Sequence, residues 1–90
     1  MLDMKIKKPA KSGTMESNDI YIMIQPKEHG GITLDLESIV MDQFGEKIKE
    51  VILETLKNLK VENVHVVAKD RGALDCTIRA RVETAVKRAM

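Results

Sequence analysis

The chain has no tryptophan, one tyrosine, one phenylalanine and one cysteine in 90 residues. A nucleic-acid binder needs a basic face and stacking rings. Here 15 basic side chains stand against 14 acidic ones, for a formal net charge of +1, so neither requirement is met. One cysteine forms no internal disulfide and offers no metal-ligand spacing, which fits a reducing compartment. No run of 18 apolar residues exists, and the basic segment 1–11 lacks the apolar core of an export signal. The expectation is a cytoplasmic chain that engages neither nucleic acid nor membrane. His29 and His65 have no second ligand at a metal spacing, and no nucleophile elbow orders the serines, histidines and aspartates into a triad. No metal and no catalytic residue is expected.

What is present fits one small domain. Residues 1–12 carry Lys5, Lys7, Lys8, Lys11 and Pro9 with few apolar side chains, and read as a flexible basic arm ahead of a domain over 13–90. These lysines read as a solvated tail, with the steering of phosphate as the lesser alternative. Residues 20–25 are apolar on both faces, as in a central strand closed by Pro26. Residues 32–37 alternate Ile32, Leu34 and Leu36 with Thr33, Asp35 and Glu37, the pattern of an edge strand, and the glycine turn at 27–31 pairs the two as a hairpin. Val40, Phe44, Ile48, Val51, Ile52, Leu56 and Leu59 form the stripe of an amphipathic helix over 39–59, with Ser38 as its N-cap. Gly45 inside that helix suggests close packing on the sheet, or a break after the first turn.

A third strand follows at 64–69, and Asp70-Arg71-Gly72 reads as a turn with glycine in the left-handed region. Residues 73–76 are ambiguous between a short fourth strand and helix; a helix is expected from about 77, where Ala, Arg, Glu and Lys dominate. The fold class is therefore α+β: a two-layer sandwich, with a three- to four-stranded, mainly antiparallel sheet and two helices on one face, in the order ββαββα. With a right-handed crossover the sheet order is 32–37, 20–25, 64–69, 73–76.

Among candidate functional residues, Ser17 stands out by position. It lies in Gly13-Thr14-Met15-Glu16-Ser17-Asn18-Asp19, a polar segment that opens onto the most apolar strand, so its hydroxyl should be exposed on backbone anchored to a rigid element. Ser38 is better used as a cap. Asp35 and Glu37 share a strand face that reads as solvated. Cys76, on an alternating apolar pattern, reads as a small core residue. Arg71, Gly72 and Asp75 form either a structural turn or a contact corner. Glu46, Glu50 and Glu54 beside Lys47, Lys49 and Lys57 read as a wet helix face.

Gly13-Thr14-Met15-Glu16-Ser17, the apolar strand after it, Gln43-Phe44-Gly45 and Gly72-Ala73-Leu74-Asp75-Cys76 together resemble the acyl carrier (gamma) subunit of citrate lyase, from about Pro9 to Met90. Met15 and Asn18 depart from that pattern, where Leu and Ser or Gly are usual. Ser12 also lacks the preceding Glu of the attachment motif. The resemblance implies that Ser17 carries a covalently attached 2'-(5''-phosphoribosyl)-3'-dephospho-CoA arm through a phosphodiester. Its implied partners are a prosthetic-group transferase, the alpha subunit (citrate acyl-carrier transferase) and the beta subunit (citryl lyase). The chain itself would be a non-catalytic carrier in citrate cleavage to oxaloacetate and acetate. A carrier of malonate decarboxylase, which uses a similar group, is the nearest alternative. An interaction module without cofactor is another, and a small hydrolase stands further off.

Overall fold

The computed structural model describes residues 5–90. Its elements are β1 (Ala10–Ser12), β2 (Ile20–Pro26), β3 (Ile32–Ser38), α1 (Met41–Asn58), β4 (Val64–Asp70) and α2 (Asp75–Ala89). The four strands form one mixed sheet in the order β1-β2-β4-β3: β1 and β4 flank β2 antiparallel, and β3 runs parallel to β4. The α+β class and the helical layer are as expected. Ile20, Ile22 and Ile24 of β2 face Val66, Ala68 and Asp70 of β4 across the register and are fully buried under the helices, with Ile52 and Leu56 of α1 and Ile78, Val82 and Val86 of α2. Each such isoleucine contributes roughly 2 kcal/mol by leaving water.

Three elements differ from the sequence reading. The segment read as an arm joins the fold from Ile6, which is buried, while the Lys7 and Lys8 amides bond to the Ala89 carbonyl at 2.8 and 3.1 Å. Ala10–Ser12 then pairs with β2. Backbone pairing supplies an order that the lysine-rich composition conceals; residues 1–4 lie outside the described residues. Second, β3 does not make a hairpin with β2. Five residues at 27–31 reach up to about 17 Å, enough to pass one strand at ~4.8 Å per step. Asn63 and Val64 fix the crossing, through Gly31 N–H to Asn63 Oδ1 at 2.9 Å and Val64 N–H to the Gly31 carbonyl at 3.2 Å. β3 stays at the edge, and its next neighbour in the chain, α1, carries it into a parallel β3-α1-β4 unit.

Third, residues 73–76 contain no strand, because α2 begins at Asp75. Cys76 is consequently exposed rather than core: the alternation of Leu74, Cys76 and Ile78 loses meaning on a helix, whose buried stripe is Ile78, Val82, Ala85, Val86 and Ala89. In α1 the stripe holds from Ile48 onward, but Phe44 is 53% exposed. Gly45 is indeed closely packed, though on its own helix: a Cβ there would lie 2.9 Å from the Met41 sulfur. The C-terminus of α1 closes with Lys60 at φ 63°, where Val61 N–H bonds to the Leu56 carbonyl and Lys60 N–H to that of Lys57, a Schellman closure without glycine.

Candidate functional site

Ser17 lies at the tip of the β1-β2 hairpin, in the loop 13–19. The loop is closed by backbone that few residues can adopt. Gly13 has φ 88°, and a Cβ there would overlap the Ile20 carbonyl oxygen, so glycine is needed on both counts. Thr14 Oγ1 donates to Asp19 Oδ2 at 2.7 Å and accepts from the Glu16 amide at 3.1 Å. Asn18 sits at φ 64° and donates its N–H to the Arg71 carbonyl at 2.8 Å, while the Arg71 N–H returns to the Asp19 carbonyl at 2.9 Å. The hairpin tip is thereby stitched to the turn after β4.

Asp19 anchors the loop. It is buried and accepts from the Ile20 amide at 2.7 Å and from Arg81 of α2, Nε at 3.0 Å and Nη2 at 2.9 Å. Burial would raise its carboxyl pKa. The Arg81 fork, the Thr14 hydroxyl and the Ile20 amide outweigh that and hold it at about 2. Asp70 likewise anchors the neighbouring turns by hydrogen bonds. Only 2% exposed, it accepts from Ser38 Oγ at 2.8 Å and from the Gly72 and Ala73 amides, both at 3.0 Å. Gly72 takes φ 89°, and a Cβ there would stand at ordinary contact distance from the Asn18 side-chain oxygen. The 13–19 loop, the 38–40 connection and the 71–74 turn thus meet at one end of the sheet.

Within this frame Ser17 is exposed, and its hydroxyl makes no hydrogen bond with the described residues. Ser12 is 4% exposed and faces the helical layer. Ser38 is not the N-cap of α1, since that position is Val40 with no side-chain cap. Its hydroxyl instead bridges Asp70 and the Val40 amide, at 2.8 and 3.0 Å, because the strand runs on to Ser38 and the helix starts later than the stripe suggests. Asp35 and Glu37 are exposed on the outer sheet face as expected. There Asp35 lies 3.6 Å from His65 Nε2, whose Nδ1 is 2.7 Å from Thr33 Oγ1. Among the described residues no group of His, Cys, Asp or Glu could hold a metal ion.

Sequence reasoning missed Asp19, Asp70 and Arg81. An aspartate at the mouth of an apolar strand is a signal for the first, but nothing marks a partner 62 positions away. Five of the seven large apolar side chains exposed among the described residues, Met15, Ile39, Met41, Phe44 and Leu74, also lie at this end. Such concentration on one pole is unusual for a surface that meets only water.

Comparison with known proteins converges on one family. Residues 7–89 match the acyl carrier family described as malonate decarboxylase delta subunit (MdcD). The chain is 54% identical over 86 residues to the citrate lyase acyl carrier protein of Streptococcus mutans, covering 96% of this chain and 84% of that one. It is 51% identical over 86 residues to that of Vibrio cholerae serotype O1, covering 96% and 88%, and 53% identical over 87 residues to that of Lactiplantibacillus plantarum, covering 97% and 90%. In three dimensions it resembles a chain of a Pseudomonas malonate decarboxylase hetero-tetramer in complex with malonate, at TM-score 0.83 and 15% identity over 98% of this chain and 90% of that one. At that identity the likeness concerns the fold.

Proposed function

This chain belongs to the citrate lyase acyl carrier protein family, and from that premise we propose that it presents a phosphoribosyl-dephospho-CoA arm on Ser17. The arm serves a transferase subunit and a lyase subunit that exchange and cleave the acyl thioester, with oxaloacetate and acetate released from citrate. When bound, the arm supplies the terminal thiol on which acetyl and citryl groups travel. The chain's own residues do no bond making. Ser17 Oγ bears the phosphodiester, Gly13 and Asn18 shape the tip, and Asp19 with Arg81 holds the root of the tether fixed. Tethering raises the effective concentration of the thioester at each partner site without any catalytic group on the carrier.

The observation that carries this reading is the free Ser17 hydroxyl, exposed in a loop whose Thr14, Glu16, Asn18 and Asp19 are all hydrogen-bonded. The residues around it fit a charged arm: Arg71, whose backbone is bonded to Asn18 and Asp19, carries a buried Nε donor with no acceptor. The apolar side chains Ile39, Phe44 and Leu74 at the same end suit contact with partner subunits. Intact and tandem mass spectrometry of the chain purified from its native host tests the reading. The expected result is one adduct, located on Ser17 and lost in Ser17→Ala, with citrate cleavage abolished in the complex rebuilt with that variant. A bare chain mass would instead mean an interaction module without cofactor.

A second reading is supported by the description of the matching family and by the decarboxylase fold neighbour. It is a carrier for malonate decarboxylation with a similar arm. Supplying the loaded chain to each set of partner subunits separates the two by which acid is consumed.

A further inference from the structure

Arg71, whose backbone is bonded to the Ser17 loop, carries a guanidinium that the described residues leave unengaged. Arg81 is committed to Asp19 by two hydrogen bonds, and Arg88 donates to the Lys11 carbonyl at 2.9 Å. Arg71 makes no ion pair or side-chain hydrogen bond with the described residues, and its Nε is buried with no acceptor. A charged donor withdrawn from water without a partner is unfavourable and calls for an explanation. The nearby carboxylates do not provide one, since Asp19 is satisfied by Arg81, Thr14 and Ile20, and Asp70 by Ser38, Gly72 and Ala73.

Position supplies the rest. Through the 2.8 and 2.9 Å main-chain bonds to Asn18 and Asp19, the Arg71 backbone lies beside the residue that follows Ser17, and consecutive Cα atoms are only ~3.8 Å apart. A phosphodiester on Ser17 would also stand next to Glu16, whose exposed carboxylate makes no ion pair. A monoanion there needs a cation to offset that repulsion, and the planar guanidinium matches two phosphate oxygens at once. Resting on the carrier reading of Ser17, we infer that Arg71 seats the phosphodiester at the root of the arm, fixing its first group while the remainder swings. Arg71 is a positioning residue for the arm and takes no part in acyl transfer.

The test compares loaded protein, verified by intact mass, with unloaded protein of the same sequence. In nitrogen-15 spectra of the arginine side chains, loading should shift the Arg71 Nε–H resonance and slow its exchange with water, while Arg79 and Arg88 stay in place. In low salt, loading should raise Tm by about 4–8 °C, and this increment should disappear in loaded Arg71→Gln and shrink as salt is added. An Arg71 resonance unmoved by loading, or an equal increment in Arg71→Gln, overturns the inference while the adduct on Ser17 keeps the carrier reading intact. Absence of the adduct from host-purified wild-type chain overturns both. If Arg71→Gln is not loaded in the host, the wild-type spectra decide alone.

Discussion

The two ends of the sheet are built from different materials. At the Ser17 end three connections converge on two buried carboxylates, Asp19 and Asp70, which together accept from an arginine fork, two hydroxyls and three backbone amides. At the opposite end the bonds holding the connections 27–31 and 59–63 include the Gly31 amide to Asn63, the Val64 amide to the Gly31 carbonyl at 3.2 Å, a long 3.5 Å contact from Lys27 to Thr33 and the helix closure at Lys60 and Val61. Beside them lies a hollow lined by Lys5, Lys7, Lys27 and Lys60 together with Glu28. Charged acceptors make bonds about twice as strong as neutral ones. Around the loop that displays a free hydroxyl the chain has gathered buried carboxylate acceptors, whereas the crossing at Gly31 rests on bonds to a neutral amide oxygen and a backbone carbonyl.

That asymmetry can be broken most severely at Asp70. In Asp70→Ala three donors lose their acceptor in a site that is 2% exposed, and the expected loss is about 3 kcal/mol. Urea unfolding would measure it, with an unchanged m-value. A smaller loss is expected from Asp19→Asn, about 1–2 kcal/mol, discounted because Arg81 is partly open to solvent. This substitution also carries a pH signature. The Asp19 pKa falls from 3.8 to about 2 on folding, so its contribution is complete above pH 4 and is lost as pH drops through 2. Wild-type stability should therefore fall more steeply than that of Asp19→Asn between pH 4 and 2. At the opposite end, Asn63→Ala removes one neutral bond at a half-buried site. It should cost about 1 kcal/mol and leave loading of Ser17 unchanged by mass. A loss there as large as that of Asp70→Ala would erase the contrast.

Two ion pairs on the helix surfaces belong to neither end's frame. Lys47 to Asp75 at 3.9 Å and Lys49 to Glu46 at 4.0 Å join exposed groups, and such pairs contribute little. They leave the glutamate and lysine face of α1 much as its spacing suggests, wet and weakly paired.

The residues themselves carried a good deal. β2 is apolar on both faces because it lies inside the sheet, and that was plain in Ile20 to Ile24. The alternation of β3 marked it as an edge, the i, i+4 recurrence gave the buried side of α1 and α2, and the polar stretch before β2 pointed to Ser17. What these patterns share is that each reports a local environment, how much of one face leaves water, which period 2 and period 3.6 record directly. Tertiary structure alone decided who neighbours whom. That β4 separates β2 from β3, that Ala10–Ser12 finds β2, that Cys76 turns outward, and that Asp19 meets Arg81 all depend on contacts between distant segments. No local period encodes a partner's address, so pairing, and with it the ionic frame around Ser17, emerged only when the whole chain closed on one core.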